Sequence, residues 1–196
     1  MMRLMLRYLL ILGVVVFAIS CSVTSSLSEG EYLLTQVDIE ADKSVPRKER
    51  IIFEKDRYIR QLPNKRILGF NFHVWVYQNA NHIKNQRLNS FLRRIGEAPV
   101  IVDTALTQRS VQNLQTYLHK HGYFSSSVSC DIDTSTLREH RAKITYSIKQ
   151  GPPTRIDTLT YRFRDTSLRD IILADTASSL IVQGAIFDET VLEAER

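Results

Sequence analysis

The stretch Asp103–Gly151, DTALTQRSVQNLQTYLHKHGYFSSSVSCDIDTSTLREHRAKITYSIKQG, carries the chain's clearest folding pattern. Thr107 stands where a helix cap belongs, and Val111, Leu114 and Leu118 follow as an apolar stripe at helical spacing. Gly122 terminates that helix, directly before Tyr123-Phe124. The period then drops to two. Val128, Cys130 and Ile132 share one face of a strand, with Ser127, Ser129 and Asp131 on the other. Asp133 to His140 is polar and predicts a hairpin loop. The return strand alternates Ala142, Ile144, Tyr146 and Ile148 inward against Lys143, Thr145, Ser147 and Lys149 outward. Gly151-Pro152-Pro153 closes the unit. In this pattern Cys130 is a small buried hydrophobe rather than a thiolate nucleophile.

Towards the N-terminus, Tyr32 to Glu40 predicts a strand with Leu33, Thr35, Val37 and Ile39 on one face. Pro46-Arg47-Lys48-Glu49 predicts a helix start, followed by Phe53, Tyr58, Ile59 and Leu62 before Pro63 stops it. Ile67 to Tyr77 (ILGFNFHVWVY) holds the only tryptophan and is either a strand or a buried helical turn. Leu88, Phe91, Leu92 and Ile95 recur at helical spacing, with Gly96 as a left-handed cap. Arg87, Arg93 and Arg94 occupy the other face, as a solvated surface or a basic patch for anionic headgroups or a partner. One strand, helices and a closing hairpin predict an α+β fold, a layer of helices on one small sheet.

After Pro153 the pattern restarts. Ile156 to Arg164 (IDTLTYRFR) alternates like a strand, and Ser167 to Ile172 starts a helix. Gly184 to Leu192 (GAIFDETVL) echoes Gly96 to Leu106 (GEAPVIVDTAL): a glycine, apolar residues, an Asp, then a leucine opening the next helix. Such a repeat signals an array of like modules. We therefore expect a first module over 32–151, lengthened by an insertion at about 63–95. The start of a second follows over 154–196, lacking its Gly-Tyr-Phe and both closing strands. The chain reads as the N-terminal piece of a longer protein.

Residues 1–20 combine Arg3 and Arg7, an apolar run and small residues, the form of a secretory signal. Cys21 directly after Ser20 resembles the bacterial lipoprotein signal, in which cleavage leaves a lipid-modified (palmitate-bearing) cysteine as the mature N-terminus. Ala18 departs mildly from the usual Leu or Val. The alternative is a plain N-terminal anchor helix with an incidental cysteine. Residues 21–31 are small and polar, a tether. Only two cysteines exist, so acylation of Cys21 leaves Cys130 unpaired and the fold without a disulfide. Loss of Arg3 and Arg7 with the signal takes the formal charge from +5 to +3, a weak argument for a nucleic-acid partner that export removes.

A search for chemistry returns no catalytic residues and no metal site. His119 and His121, two apart at a helix end, point to different faces. His73 lies in an apolar run, and His82 and His140 in polar segments without a suitable neighbour. Asp131 and Asp133 lack an acid or base partner. Gly-rich phosphate loops, G-x-S-x-G and H-E-x-x-H do not occur. No cofactor is called for beyond the lipid on Cys21.

Gly122-Tyr123-Phe124 after a helix, the strand that follows, Ile144 to Ile148 and Gly151 together resemble a POTRA domain, the periplasmic module that precedes barrels of the BamA and TamA superfamily. Cys21, Gly30-Glu31-Tyr32-Leu33-Leu34, Arg60-Gln61-Leu62-Pro63-Asn64, Lys65 to Phe70 and Ile95 to Val100 resemble landmarks of the TamA-like lipoproteins of Bacteroidetes-type bacteria. The resemblance spans essentially the mature chain but includes no barrel, so insertase activity cannot be carried over. It implies a non-enzymatic arm of an outer-membrane assembly or translocation protein. That arm would be lipid-anchored in the outer-membrane bilayer, with its modules in the periplasm or on the surface side and a C-terminal β-barrel elsewhere in the protein. Its partners would be unfolded outer-membrane proteins or accessory assembly proteins. A sheet edge with unpaired backbone groups suits that task. The Ser125–Asp133 strand, with Ser125, Ser127 and Ser129 outward, is the candidate edge, although the serines could equally be a plain exposed face. The alternative is a stand-alone surface or periplasmic lipoprotein that binds another partner through the same scaffold.

Overall fold

Three strands make one mixed sheet in the order β1-β3-β2, where β1 is Leu33–Ala41, β2 Ser127–Asp133 and β3 Arg141–Lys149. This computed structural model describes residues 7, 27–42, 45, 50–80, 82–135, 140–164, 169, 170, 173, 174 and 176–196. The signal, Cys21, most of the tether, the Pro46 helix start and most of Ser167–Ile172 lie outside the described residues. Leu33 N–H donates to the His140 carbonyl (2.9 Å) and Thr35 Oγ1 to that of Ala142 (2.9 Å). The register thus advances in the same direction on both chains, which makes β1 and β3 parallel. The helices are α1 Lys55–Tyr58, α2 Phe72–Ala80, α3 Gln86–Ile95, α4 Thr104–Lys120 and α5 Glu189–Glu195. Among the described residues no helix is long and apolar enough to cross a membrane.

The chain divides into two compact units. One comprises the described residues of Met1–Asp38, Arg60–Gln108 and Cys130–Thr145. Its core includes Leu33 and Val74, fully buried, with Leu27 and Trp75 packed against them. Two buried amides organise its backbone. Gln61 accepts from Asp103 N–H (3.0 Å) and donates to the Ile101 carbonyl. Asn64 accepts from Val100 N–H (2.9 Å) and donates to the Ala98 carbonyl (2.8 Å). Residues 98–103 are thereby held in an extended run, and Leu33 and Ile101 form an antiparallel bridge flanked by Leu34 N–H to Val100 O and Val102 N–H to Tyr32 O.

Of the two forms open to Ile67–Tyr77, the structure shows a tight turn and then α2. Ile67 and Phe70 exchange two 2.9 Å backbone bonds around Leu68 (φ 49°) and Gly69 (φ 83°), the signature of a type I′ turn. The expected left-handed cap at Gly96 is corrected, because its φ is −76°. Glycine is needed there for a different reason: a Cβ would lie 2.7 Å from Tyr77 backbone atoms. Thr107 is not the cap of α4 either. The Asp103 carboxylate accepts from Ala105 and Leu106 N–H (2.8 and 3.2 Å), while the Thr107 hydroxyl donates back to the Asp103 carbonyl.

The second unit comprises Ile39–Ile59, Arg109–Ser129 and Tyr146–Arg196. Leu118, Tyr123 and Ile148 form its buried cluster, with Ile39, Ile51, Phe53 and Val128 against it. Of the helix expected from Pro46 onward, the described residues 50–62 show only α1. Residues 50–54 are not helical, and Ile51 and Phe53 reach the core at a period of two, with Ile51 N–H on the Gln150 side-chain oxygen (3.1 Å). The strand expected over Ile156–Arg164 is also absent. Arg155 bridges Ile186, and Ile156 N–H bonds the Ala185 carbonyl (2.9 Å) while its own carbonyl accepts from Gly184 N–H (2.7 Å), but residues 157–163 have no ladder partner among the described residues. Leu159 and Tyr161 are consequently exposed.

Candidate functional site

The strand β2 lies at the end of the sheet, with β3 as its only strand neighbour among the described residues. Ser127 and Ser129 are exposed on it, whereas Ser125, also exposed, sits in the turn before it. Their neighbour Ser126 is buried, its carbonyl accepting from the Gln115 amide (2.9 Å), which also reaches His119 (2.7 Å). Gln115 therefore fixes the point at which the chain enters β2. At the far end Asp133 accepts from the Ser135 hydroxyl (2.6 Å) and backbone N–H (2.9 Å), and these two bonds hold its carboxyl below the ordinary value. Cys130 is exposed, against the sequence expectation. Alternation fixed which residues share a face, but only Val128 of that face belongs to the buried cluster. A run of small side chains, Ser127, Ser129 and Cys130, thus borders an edge whose outward backbone groups face no other strand.

The edge is reached through the Gly122 turn. Gly122 N–H bonds the His119 carbonyl (3.0 Å) and Tyr123 N–H the Leu118 carbonyl (2.9 Å), with Gly122 at φ 86°. This is a Schellman cap with its hydrophobic contact, Tyr123 on Leu118. The Gly122 carbonyl accepts from Thr154 N–H (2.8 Å), the Thr154 carbonyl from Phe187 N–H (2.9 Å), and a Cβ at 122 would collide with the Phe187 carbonyl oxygen. Around that contact Phe124 and Phe187 rings pair at 5.4 Å, and His121 Nδ1 donates to Asp188 Oδ2 (2.8 Å). Asp188 in turn caps α5 through Thr190 N–H (2.9 Å). Partial burial pushes the Asp188 carboxyl up, but the Thr190 hydroxyl, His121 and the Thr190 N–H outweigh it and leave it below the ordinary value. Sequence reasoning found the glycine but not these partners, because residues 67 positions apart carry no local spacing signal.

The two histidines diverge: His119 meets Gln115 and Phe124, and His121 meets Tyr117 and Asp188. Among the described residues no group of three His, Cys, Asp or Glu side chains could hold a metal ion. What the arrangement offers is a surface for another chain. A small α+β module with a mixed three-strand sheet, in which β2 has an open side among the described residues, is the class of protein this fold defines, and it is consistent with a POTRA-like module. Residues 76–151 match the POTRA family model, described as a surface antigen variable number repeat. The match runs from within α2 through α3, α4, β2 and β3, 76 of the 196 residues. POTRA domains are non-catalytic interaction modules associated with periplasmic parts of outer-membrane assembly proteins. No curated protein and no solved structure matches the chain.

Proposed function

We propose that this chain is a non-enzymatic, lipid-anchored POTRA arm of an outer-membrane assembly or translocation protein, and that β2 receives an extended segment of a client or accessory protein as an added strand. The observation that carries the reading is the asymmetry of the sheet's two edges. The start of β1 is already bridged by residues 100–102, whereas β2 has β3 on one side and no strand on the other among the described residues. Main-chain pairing accepts many sequences, and the small exposed Ser127, Ser129 and Cys130 leave room for the incoming side chains. The POTRA match over 76–151 includes this edge. Cys21 as the lipid-bearing residue is an expectation from the sequence. It predicts that Cys21→Ala abolishes incorporation of labelled palmitate.

Amide hydrogen exchange on the full chain tests the edge. A synthetic peptide with the alternating apolar pattern of a barrel strand should protect the amides of Ser127–Asp133. A scrambled peptide of the same composition should not. Binding of the patterned peptide without protection in β2 would place the docking surface elsewhere and end this reading.

A further inference from the structure

The helix α3 presents its apolar stripe to solvent. Leu88 is 47% exposed, Phe91 55% and Ile95 41%, although the sequence pattern was that of a core-facing helix. A core helix with those spacings would bury them, and a solvated one would not carry them. On the flank beside Phe91, Arg87 and Arg94 stand two turns apart and border a shallow depression completed by Gln86 and Ser90. Arg93 is also exposed, its guanidinium 5.5 Å from the centre of the Tyr77 ring. Phe72, at the start of α2, is exposed as well. His73 Nδ1 donates to the Ile95 carbonyl (2.9 Å), which brings the end of α3 against the first turn of α2.

The Ile67–Phe70 turn ends one residue before α2 begins, so it leads into the same end of the α2–α3 pair. At its tip Leu68 is 92% exposed and in the left-handed region, where a leucine is strained and an asparagine is at home. The residue therefore contributes nothing to the fold by burial and something against it by conformation. Lys65 and Arg66 precede it. Charge along this part of the chain is one-sided: from Arg60 to Gly96 there are seven Lys or Arg and no Asp or Glu. The first carboxylate beyond, Glu97, is within 3.3 Å of both Asn64 Nδ2 and the Lys65 N–H.

We infer that α3 and the Leu68 turn form a docking surface for a bilayer bearing anionic headgroups. Arg87, Arg94 and Lys65 would contact phosphates while Leu68, Phe91 and Ile95 enter the headgroup–acyl boundary. An apolar face flanked by Arg and cleared of carboxylates is the make-up of an interfacial amphipathic helix. The surface uses no residue of β2, and it would set the height of the arm above a membrane independently of any lipid on Cys21.

The test is amide hydrogen exchange on the full chain with vesicles of phosphatidylcholine alone or with about one-third phosphatidylglycerol. Anionic vesicles should protect 65–70 and 86–96 where neutral ones do not. The protection should fade at about 1 M salt, where screening acts within some 3 Å. Each basic group contributes about fivefold to partitioning, so Arg87→Glu with Arg94→Glu should weaken binding to anionic vesicles at least about 25-fold. Lys149→Glu with Arg162→Glu, the same charge change at exposed sites of the other unit, should leave protection of 65–70 and 86–96 intact. Leu68→Asn relieves the strained turn, so it should raise thermal stability while removing protection of 65–70. Equal protection by neutral vesicles would overturn the inference. So would protection by polyglutamate but not by vesicles, which would make the surface a site for acidic protein.

Discussion

Asp103 and Asp188 stand at the same point of two copies of one motif, and the copies differ in what their bridged strands pair with. In each, a residue two positions before the Asp forms an antiparallel bridge, Ile101 with Leu33 and Ile186 with Arg155. The Asp side chain in each then accepts the N–H of the residue two positions on, which opens a helix. The first copy bridges a fully buried leucine, whereas the second bridges an exposed arginine. The residues from Leu33 run on into β1, paired to β3, while those from Arg155 pair only as far as Ile156 and then run into 157–163 without a ladder partner among the described residues. Local sequence therefore starts the motif, and only non-local pairing extends it.

Glycine gives the sharpest way to break the comparison. Gly122 and Gly184 both sit in the left-handed region, at φ 86° and 83°. A Cβ at 184 meets nothing within 4 Å, whereas one at 122 runs into the Phe187 carbonyl. Gly184→Ala should therefore cost only the conformational strain, about 1 kcal/mol. Gly122→Ala adds a backbone collision and should cost about 3 kcal/mol or more. Urea midpoints of the two variants check this. Equal losses would mean that the contact between 122 and 187 is not formed in solution.

The clamps of the first copy come next. Asn64→Ala strands the Val100 N–H and the Ala98 carbonyl in a buried setting, with an expected loss of about 2 kcal/mol. Hydrogen exchange should quicken at Val100 before it does in β3. This clamp also shows what was legible in the sequence. The alternation of β3 and the Gly122 terminator could be read directly, because both signals are local. Gln61 and Asn64 could be quoted as landmarks but not explained, since each side chain bonds backbone about 35 to 40 residues away. The exposure of Cys130 and the failure of 156–163 to form a strand were hidden for a related reason. Periodicity defines faces; whether a face is covered or an edge is paired depends on chain far away in sequence. Ser127 and Ser129 were placed on a strand for the right local reason, but the edge position of that strand is a property of the sheet order.

The cap of the second copy should respond to acid. Replacing either Asp by Ala removes a cap, at about 1 kcal/mol each. Asp188 has its folded-state carboxyl held below the ordinary value of 3.8, so its contribution is fully present above that value and is lost as the pH falls through the folded one. Asp188→Asn should accordingly flatten part of the stability loss between about pH 5 and pH 2. Denaturation at stepped pH measures it. A wild-type difference that persists unchanged to the lowest pH would remove the charge-based account of the His121–Asp188 contact.

The smallest effect separates proximity from energy. Lys120 and Glu189 stand 3.5 Å apart beside the Asp188 cap, and Lys143 and Asp38 stand 3.1 Å apart in the unit of the Asp103 cap. The first pair leaves almost half of each side chain in water and the second about a third. Solvent screens both, and fixing two flexible side chains opposes the attraction, so Lys120→Ala should change stability by no more than about 0.5 kcal/mol and Lys143→Ala by slightly more. The order should vanish at high salt, where exposed pairs are screened. A Lys120→Ala loss as large as that of Asp188→Ala would show that α5 is held by its charges rather than by its cap, and the two copies would then differ in mechanism as well as in pairing.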